Sequence, residues 1–228
     1  MVRQAVKVVV ILALLMAVMA GAAQASVNLT TIGTAQISGD VTNTPHNLIY
    51  DSSQSLLWLD YSYGGANQTD SKSWADALIL TAINTPGYID NFSGLGWRLP
   101  TTGANAMTGA DQSDSEMGCL YYTDLLLKAG AGAGVTGVGS TNQLPFATIH
   151  SDYYWSGTDK VGDAGTAWMF VTSNGSQYAA GKSYDGGFAL AVRSGQLLTS
   201  AVPEPSTYLL LGIALGVVGY ARRRMSVL

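Results

Sequence analysis

Two uncharged apolar runs, Val8 to Met19 and Tyr208 to Ala221, bracket this chain. Neither suits a water-facing surface, so they confine the folding unit to about Ser26–Ala201, a length that can bury one core. Arg3 and Lys7 precede the first run, and Gly21-Ala-Ala-Gln-Ala25 follows it. A basic start, a short apolar stretch and the small residues Ala23 and Ala25 together form a secretory signal peptide over residues 1–25. Signal peptidase is expected to cut after Ala25. The alternative is an uncleaved anchor, but Val8–Ala23 falls short of the roughly 20 residues that a bilayer span needs.

The far end reads Val202-Pro-Glu-Pro205, Ser206-Thr207, the second apolar run, then Arg222-Arg-Arg224. The two prolines keep the chain extended. A helix over about 207–221 can enter the membrane, and the three arginines hold its far end on the cytoplasmic side. The signal peptide places the body on the opposite side. Pro203, Glu204, Pro205, an apolar helix, and Arg222, Arg223 and Arg224 in that order resemble the PEP-CTERM sorting signal of Gram-negative bacteria. The resemblance implies processing by exosortase, a membrane-embedded thiol protease. It also implies transient anchoring in the inner membrane, then delivery to the cell surface or the extracellular matrix. A plain anchor would explain the helix and the arginines but not Pro203-Glu204-Pro205.

Charge narrows the partners of the body. Five of the 11 basic residues lie in the two ends, whereas Glu204 alone of the 15 acids does. The body is therefore acidic, which repels phosphate and excludes nucleic acid as a partner. Cys119 is the only cysteine, so no disulfide can form within the chain. With two histidines beside it, structural zinc is not expected, and neither is any cofactor.

Residues 26–46 predict an extended lead-in with one strand near Thr34–Ile37. Strands follow at Asn47–Tyr50 and Leu56–Asp60, with Leu57-Trp58-Leu59 central. Trp74, Leu78 and Thr81-Ala82 predict a helix over Ser71–Asn84, capped by Asp70 or Ser71. Gly96-Trp97-Arg98-Leu99-Pro100 predicts a short strand. Ser115 caps a second predicted helix over Glu116–Lys128, which Gly130 stops. Gly130–Gly139 predicts a loop. Tyr153–Thr158, Thr166–Thr172, Ser176–Ala180 and Gly187–Arg193 predict strands, with Ser173-Asn174-Gly175 as a hairpin turn. This order is α+β, with two main helices and several antiparallel strands.

Leu57-Trp58-Leu59, Ser73-Trp74-Ala75-Asp76-Ala77, Trp97-Arg98-Leu99-Pro100-Thr101, Tyr154-Trp155-Ser156-Gly157-Thr158, Ala167-Trp168 and Ala191-Val192-Arg193 resemble, in order, the Lcl C-terminal domain family. That resemblance implies a single C-type-lectin-like domain over residues 47–195, with a linker at 196–201 and the sorting signal at 202–224. The N- and C-terminal strands are then expected to lie close together. The chain departs from the family pattern after Thr101, and Gly103–Ile149 is an expansion.

No catalytic, cofactor or metal residues are assigned. His46, His150 and Cys119 show no spacing that ties them together, and Cys119 is expected as a small core residue. Asp111–Glu116 and Asp159–Asp163 lack a calcium-loop order and read as solvated acids, or as a helix N-terminal charge at Glu116. Trp97, Trp155 and Trp168 are expected in the core, and Arg98 and Arg193 as scaffold arginines needing carboxylate or carbonyl partners. Three functions remain in order: a non-catalytic module binding exopolysaccharide or another glycan, a structural matrix component without a small ligand, and, distantly, an enzyme on a scaffold like that of the formylglycine-generating enzymes. The last depends on a cysteine pair that this chain lacks.

Overall fold

The computed structural model describes residues 28–88, 96–130 and 145–197. The predicted signal peptide with Ala23 and Ala25, most of the Gly130–Gly139 loop, and the sorting segment with Pro203, Glu204, Pro205, Arg222, Arg223 and Arg224 lie outside the described residues.

The described strands are β1 (Leu29–Ile37), β2 (His46–Asp51), β3 (Leu56–Ala66), β4 (Leu80–Asn84), β5 (Tyr153–Asp159), β6 (Thr166–Val171), β7 (Ser176–Gly181) and β8 (Gly187–Ser194). They form one sheet in the order β4-β1-β2-β3-β8-β5-β6-β7. Two short helices join it, α1 (Gln68–Asp76) and α2 (Glu116–Cys119), the second running on into a π-helical turn at Leu120–Asp124. The architecture is α+β, mostly strands in one sheet.

Alternation along the strands explains why both faces need cover. On β3, Leu57 and Leu59 point to one face with Leu48, Ala189, Ala191 and Trp155. Leu56 and Trp58 point to the other with Ile49, Leu190, Val192 and Tyr154. Ala75 and Leu78, in and just after α1, close the first face, and Met117, Leu120 and Tyr121 from α2 and its π-turn close the second. A helix this short and polar as α1 gains its stability from that packing rather than from propensity.

The Trp97–Pro100 segment holds the middle of the sheet together. β8 and β5 run parallel and pair only at Tyr154↔Phe188. Beyond that point Arg98 exchanges both backbone hydrogen bonds with Val192, and Gly157 N–H donates to the Pro100 carbonyl at 2.9 Å. The segment thus fills the gap between β8 and β5. It stops there because proline has no N–H to continue a ladder.

Several expectations change. Residues 26–46 are more than a lead-in, because β1 pairs with β2 on one side and β4 on the other. β8 pairs with β3, so two strands separate the first strand from the last. The predicted helix over Ser71–Asn84 starts earlier and ends sooner. Asn67, not Asp70 or Ser71, caps it by accepting from the Asp70 N–H at 2.9 Å. After Asp76 the chain buries Leu78 and Leu80 at a spacing of two, and Leu80–Asn84 becomes the edge strand β4. The second helix keeps its Ser115 cap, with Oγ 3.0 Å from the Gly118 N–H. It widens after Cys119, and Leu126 ends it with φ of 55° before Gly130 is reached.

Gly175 sits in the predicted hairpin, with φ of 78° and a β6–β7 register of Val171↔Ser176. A Cβ there would lie 2.4 Å from Tyr122 Oη, so the turn has no room for a side chain.

Arg98 finds the carboxylate its position demands. Nη1 and Nη2 each donate to Glu116 at 2.7 Å, and the Thr101 N–H adds a third bond at 2.7 Å. This fork ties the Trp97–Pro100 segment to the start of α2. Glu116→Gln is expected to cost about 1–2 kcal/mol, below the full value of a charged bond because Arg98 is partly in water. The test is the urea midpoint, and an unchanged midpoint would show that the pair lacks structural weight.

Candidate functional site

An open cleft of about 420 Å³ lies at one end of the sheet. That volume falls within the roughly 300–1,000 Å³ of small-ligand sites. Three pieces of chain build it. Pro100 delivers Thr102–Ala106 to one wall, Thr158–Val161 at the end of β5 forms the second, and Trp168 of β6 reaches in from below. The Thr102 N–H donates to Thr158 Oγ1 at 3.0 Å and locks the two walls together. Asp159 pairs with Lys182 Nζ at 2.8 Å.

The walls expose the polar side chains of Asn105 and Lys160. Thr102 Oγ1 is buried and has no hydrogen-bond partner in the protein. Asn105 is exposed on the same wall. Trp168 is only 6% exposed, so it offers the cleft an edge rather than a stacking face. Trp97 and Trp155 are buried as expected and take no part.

A second polar cluster joins Asn28, the β2–β3 turn and the π-turn. Asp51 is fully buried. Its Oδ1 accepts from the Ser53 N–H at 2.9 Å, Ser53 Oγ at 2.7 Å and the Gln54 N–H at 3.2 Å. Its Oδ2 accepts from Gln54 Nε2 at 2.7 Å and Trp58 Nε1 at 3.4 Å. Asp124 Oδ1 accepts from Asn28 Nδ2 at 2.9 Å and lies 3.0 Å from Ser53 Oγ. Burial, reinforced by the Asp51 charge, pushes the Asp124 carboxyl up to about 6.

Cys119 belongs to this cluster and not to the apolar core. Its thiol lies 3.8 Å from Ser53 Oγ and 3.9 Å from Asp124 Oδ2, on the flank of α2 that meets the β2–β3 turn. Burial raises the thiol pKa and the nearby acids raise it further, which disfavours the nucleophilic thiolate. The histidines sit elsewhere. His46 packs edge-on to Tyr61, with Nε2 3.8 Å from Asp40, and His150 stacks on Phe188.

Three of the five acids weighed as calcium ligands serve the scaffold. Glu116 holds Arg98, Asp159 holds Lys182, and Asp163 Oδ1 accepts from the Gly165 N–H in its own turn. Among the described residues no group of three or more ligand-type side chains could hold a metal ion. Sequence reasoning missed both the cleft and the carboxyl pair. The cleft depends on where Pro100 leaves Thr102, and the pair joins residues far apart in the chain, so no local pattern announces either.

At the far end, the family model for the PEP-CTERM protein-sorting motif matches residues 201–224. The chain carries a PEP-CTERM motif. Such a motif marks an exported protein that is transiently anchored in the membrane and processed by exosortase. No curated protein matches the chain. No solved structure matches it either. Among the described residues no helix is long and apolar enough to cross a membrane.

Proposed function

We propose that the PEP-CTERM protein is carried to the outer surface or extracellular matrix of a Gram-negative cell, where it holds glycan in the cleft beside Trp168 without catalysis. The observation behind this is the unpartnered Thr102 hydroxyl next to Asn105 in an open cleft with a tryptophan edge. A buried hydroxyl without a partner costs free energy that a guest's hydroxyl restores. Sugars supply many such groups. The acidic body favours a neutral or basic glycan over an acidic polymer. The resemblance to the Lcl C-terminal domain family, and the C-type-lectin-like fold it implies, belongs to this reading. So does the helix over 207–221, which would hold the chain in the inner membrane until exosortase acts. The absence of catalysis rests on His46, His150 and Cys119 occupying three different surroundings, with the thiol held in its protonated form.

The test is retention of the purified chain on immobilised neutral exopolysaccharide. Thr102→Val and Asn105→Ala should each weaken retention about tenfold, the value of one neutral hydrogen bond. Retention that both variants leave intact would move the site away from the cleft. No retention on any glycan would favour a structural component without a small ligand.

A further inference from the structure

The contacts around Ser53 do not balance if both neighbouring carboxyls are ionised. Ser53 Oγ lies 2.7 Å from Asp51 Oδ1 and 3.0 Å from Asp124 Oδ1. A hydroxyl has one proton and cannot donate to both. The converging N–H donors suit an ionised Asp51. Asp124 receives less support, from Asn28 Nδ2 and, at long range, the Cys119 thiol. One added proton on Asp124 Oδ1 resolves the conflict. Asp124 then donates to Ser53, Ser53 donates to Asp51, and Asn28 still meets a lone pair on Asp124 Oδ1.

We propose that Asp124, Ser53 and Asp51 form a proton-dependent latch, fastening the π-turn Leu120–Asp124 to the β2–β3 turn when Asp124 is protonated and loosening it when Asp124 ionises. The latch joins the π-turn to the end of the β1–β2 ladder, where Leu29 pairs with Asp51 and the Ser52 N–H donates to the Asn28 carbonyl at 2.8 Å. Asn28 precedes β1, Asp51 ends β2, Ser53 lies in the following turn, and Asp124 ends the π-turn. Among the described residues the titratable groups facing Asp124 are Asp51 and Cys119, and neither supplies positive charge. Glu116 at the start of α2 is neutralised by Arg98 from the Trp97–Pro100 segment.

The direction with pH follows from linkage. The native carboxyl at about 6 stands above the ordinary 3.8, so the folded state holds this proton more tightly than the unfolded chain does. The latch is complete below about 3.8 and is lost as pH rises through about 6. This is opposite to the usual aspartate, whose native bonds favour the charged form.

The experiment is hydrogen exchange, read by mass spectrometry on the full chain in mild detergent and corrected for intrinsic pH dependence. Between about pH 5 and about pH 7.5, protection of the π-turn amides should fall roughly tenfold, through a midpoint set by Asp124. Asp124→Asn cannot ionise and should hold the turn at a level protection over that range. Ser53→Ala removes the bridge to Asp51 but leaves Asp124 buried beside that charge, so the turn should still lose protection with pH while starting, at about pH 5, from a lower level than the parent. Level protection in the parent, the parental fall in Asp124→Asn, or full parental protection at about pH 5 in Ser53→Ala would overturn the latch.

Discussion

Trp155→Ala should lower the unfolding free energy by about 3–5 kcal/mol, the range for a deleted core aromatic. Trp155 is 0% exposed, packs with Leu57, Leu59 and Met169, and donates its indole N–H to the Ala66 carbonyl at 3.0 Å. Loss of the ring opens a void and leaves that carbonyl without its donor. The cavity cannot collapse easily, because the surrounding strands are held by their ladders. Gly187 of β8 shows how tight the site is, since a Cβ there would lie 2.4 Å from Trp155 Nε1. Urea unfolding should show a lower midpoint with an unchanged slope. A loss below about 1 kcal/mol would mean that the ring is not the centre of this face.

Replacing Pro203, Glu204 and Pro205 by alanines should abolish processing and leave an uncleaved chain in the membrane. The motif match covers these residues. A protease needs an irregular backbone, because a continuous helix buries its peptide groups in its own hydrogen bonds. Prolines at 203 and 205 disfavour helix, whereas three alanines in their place would favour it. Replacing Arg222, Arg223 and Arg224 by neutral residues should act differently, weakening orientation before any cleavage. Fractionation in the native host, with an antibody to the body, reads both mass and location. A triple-alanine chain that reaches the surface at parental mass and yield would reduce the tail to an anchor.

Legibility differed by physical cause. The later strands were readable because β5 to β8 carry dense apolar runs separated by turns, and Asn174-Gly175 announces its own geometry. The Arg98–Glu116 pair was half readable: an arginine in an apolar strand demands a partner, but nothing local names which acid. The helix over Ser71–Asn84 failed because Trp74, Leu78 and Ala82 fit a spacing of four, while Leu78 and Leu80 equally fit a strand. Pairing with the edge of β1 decided the matter, and that is a tertiary contact. Cys119 misled for a related reason. Its neighbours Met117 and Leu120 are buried, but its own position on the turn of the helix faces Ser53 and Asp124.

The place of β8 bears on how such a chain reaches its destination. It is the last described strand along the chain, yet it stands between β3 and β5 in the interior of the sheet. The ladder Leu57↔Arg193 and Leu59↔Ala191 cannot form until nearly the whole body has been synthesised. Closing so long a loop is slow, and until it closes β3 and β5 lack their shared neighbour. For a chain exported in the unfolded state, this order is an advantage. Translocation can finish first, and the core assembles only when its final strand arrives on the far side.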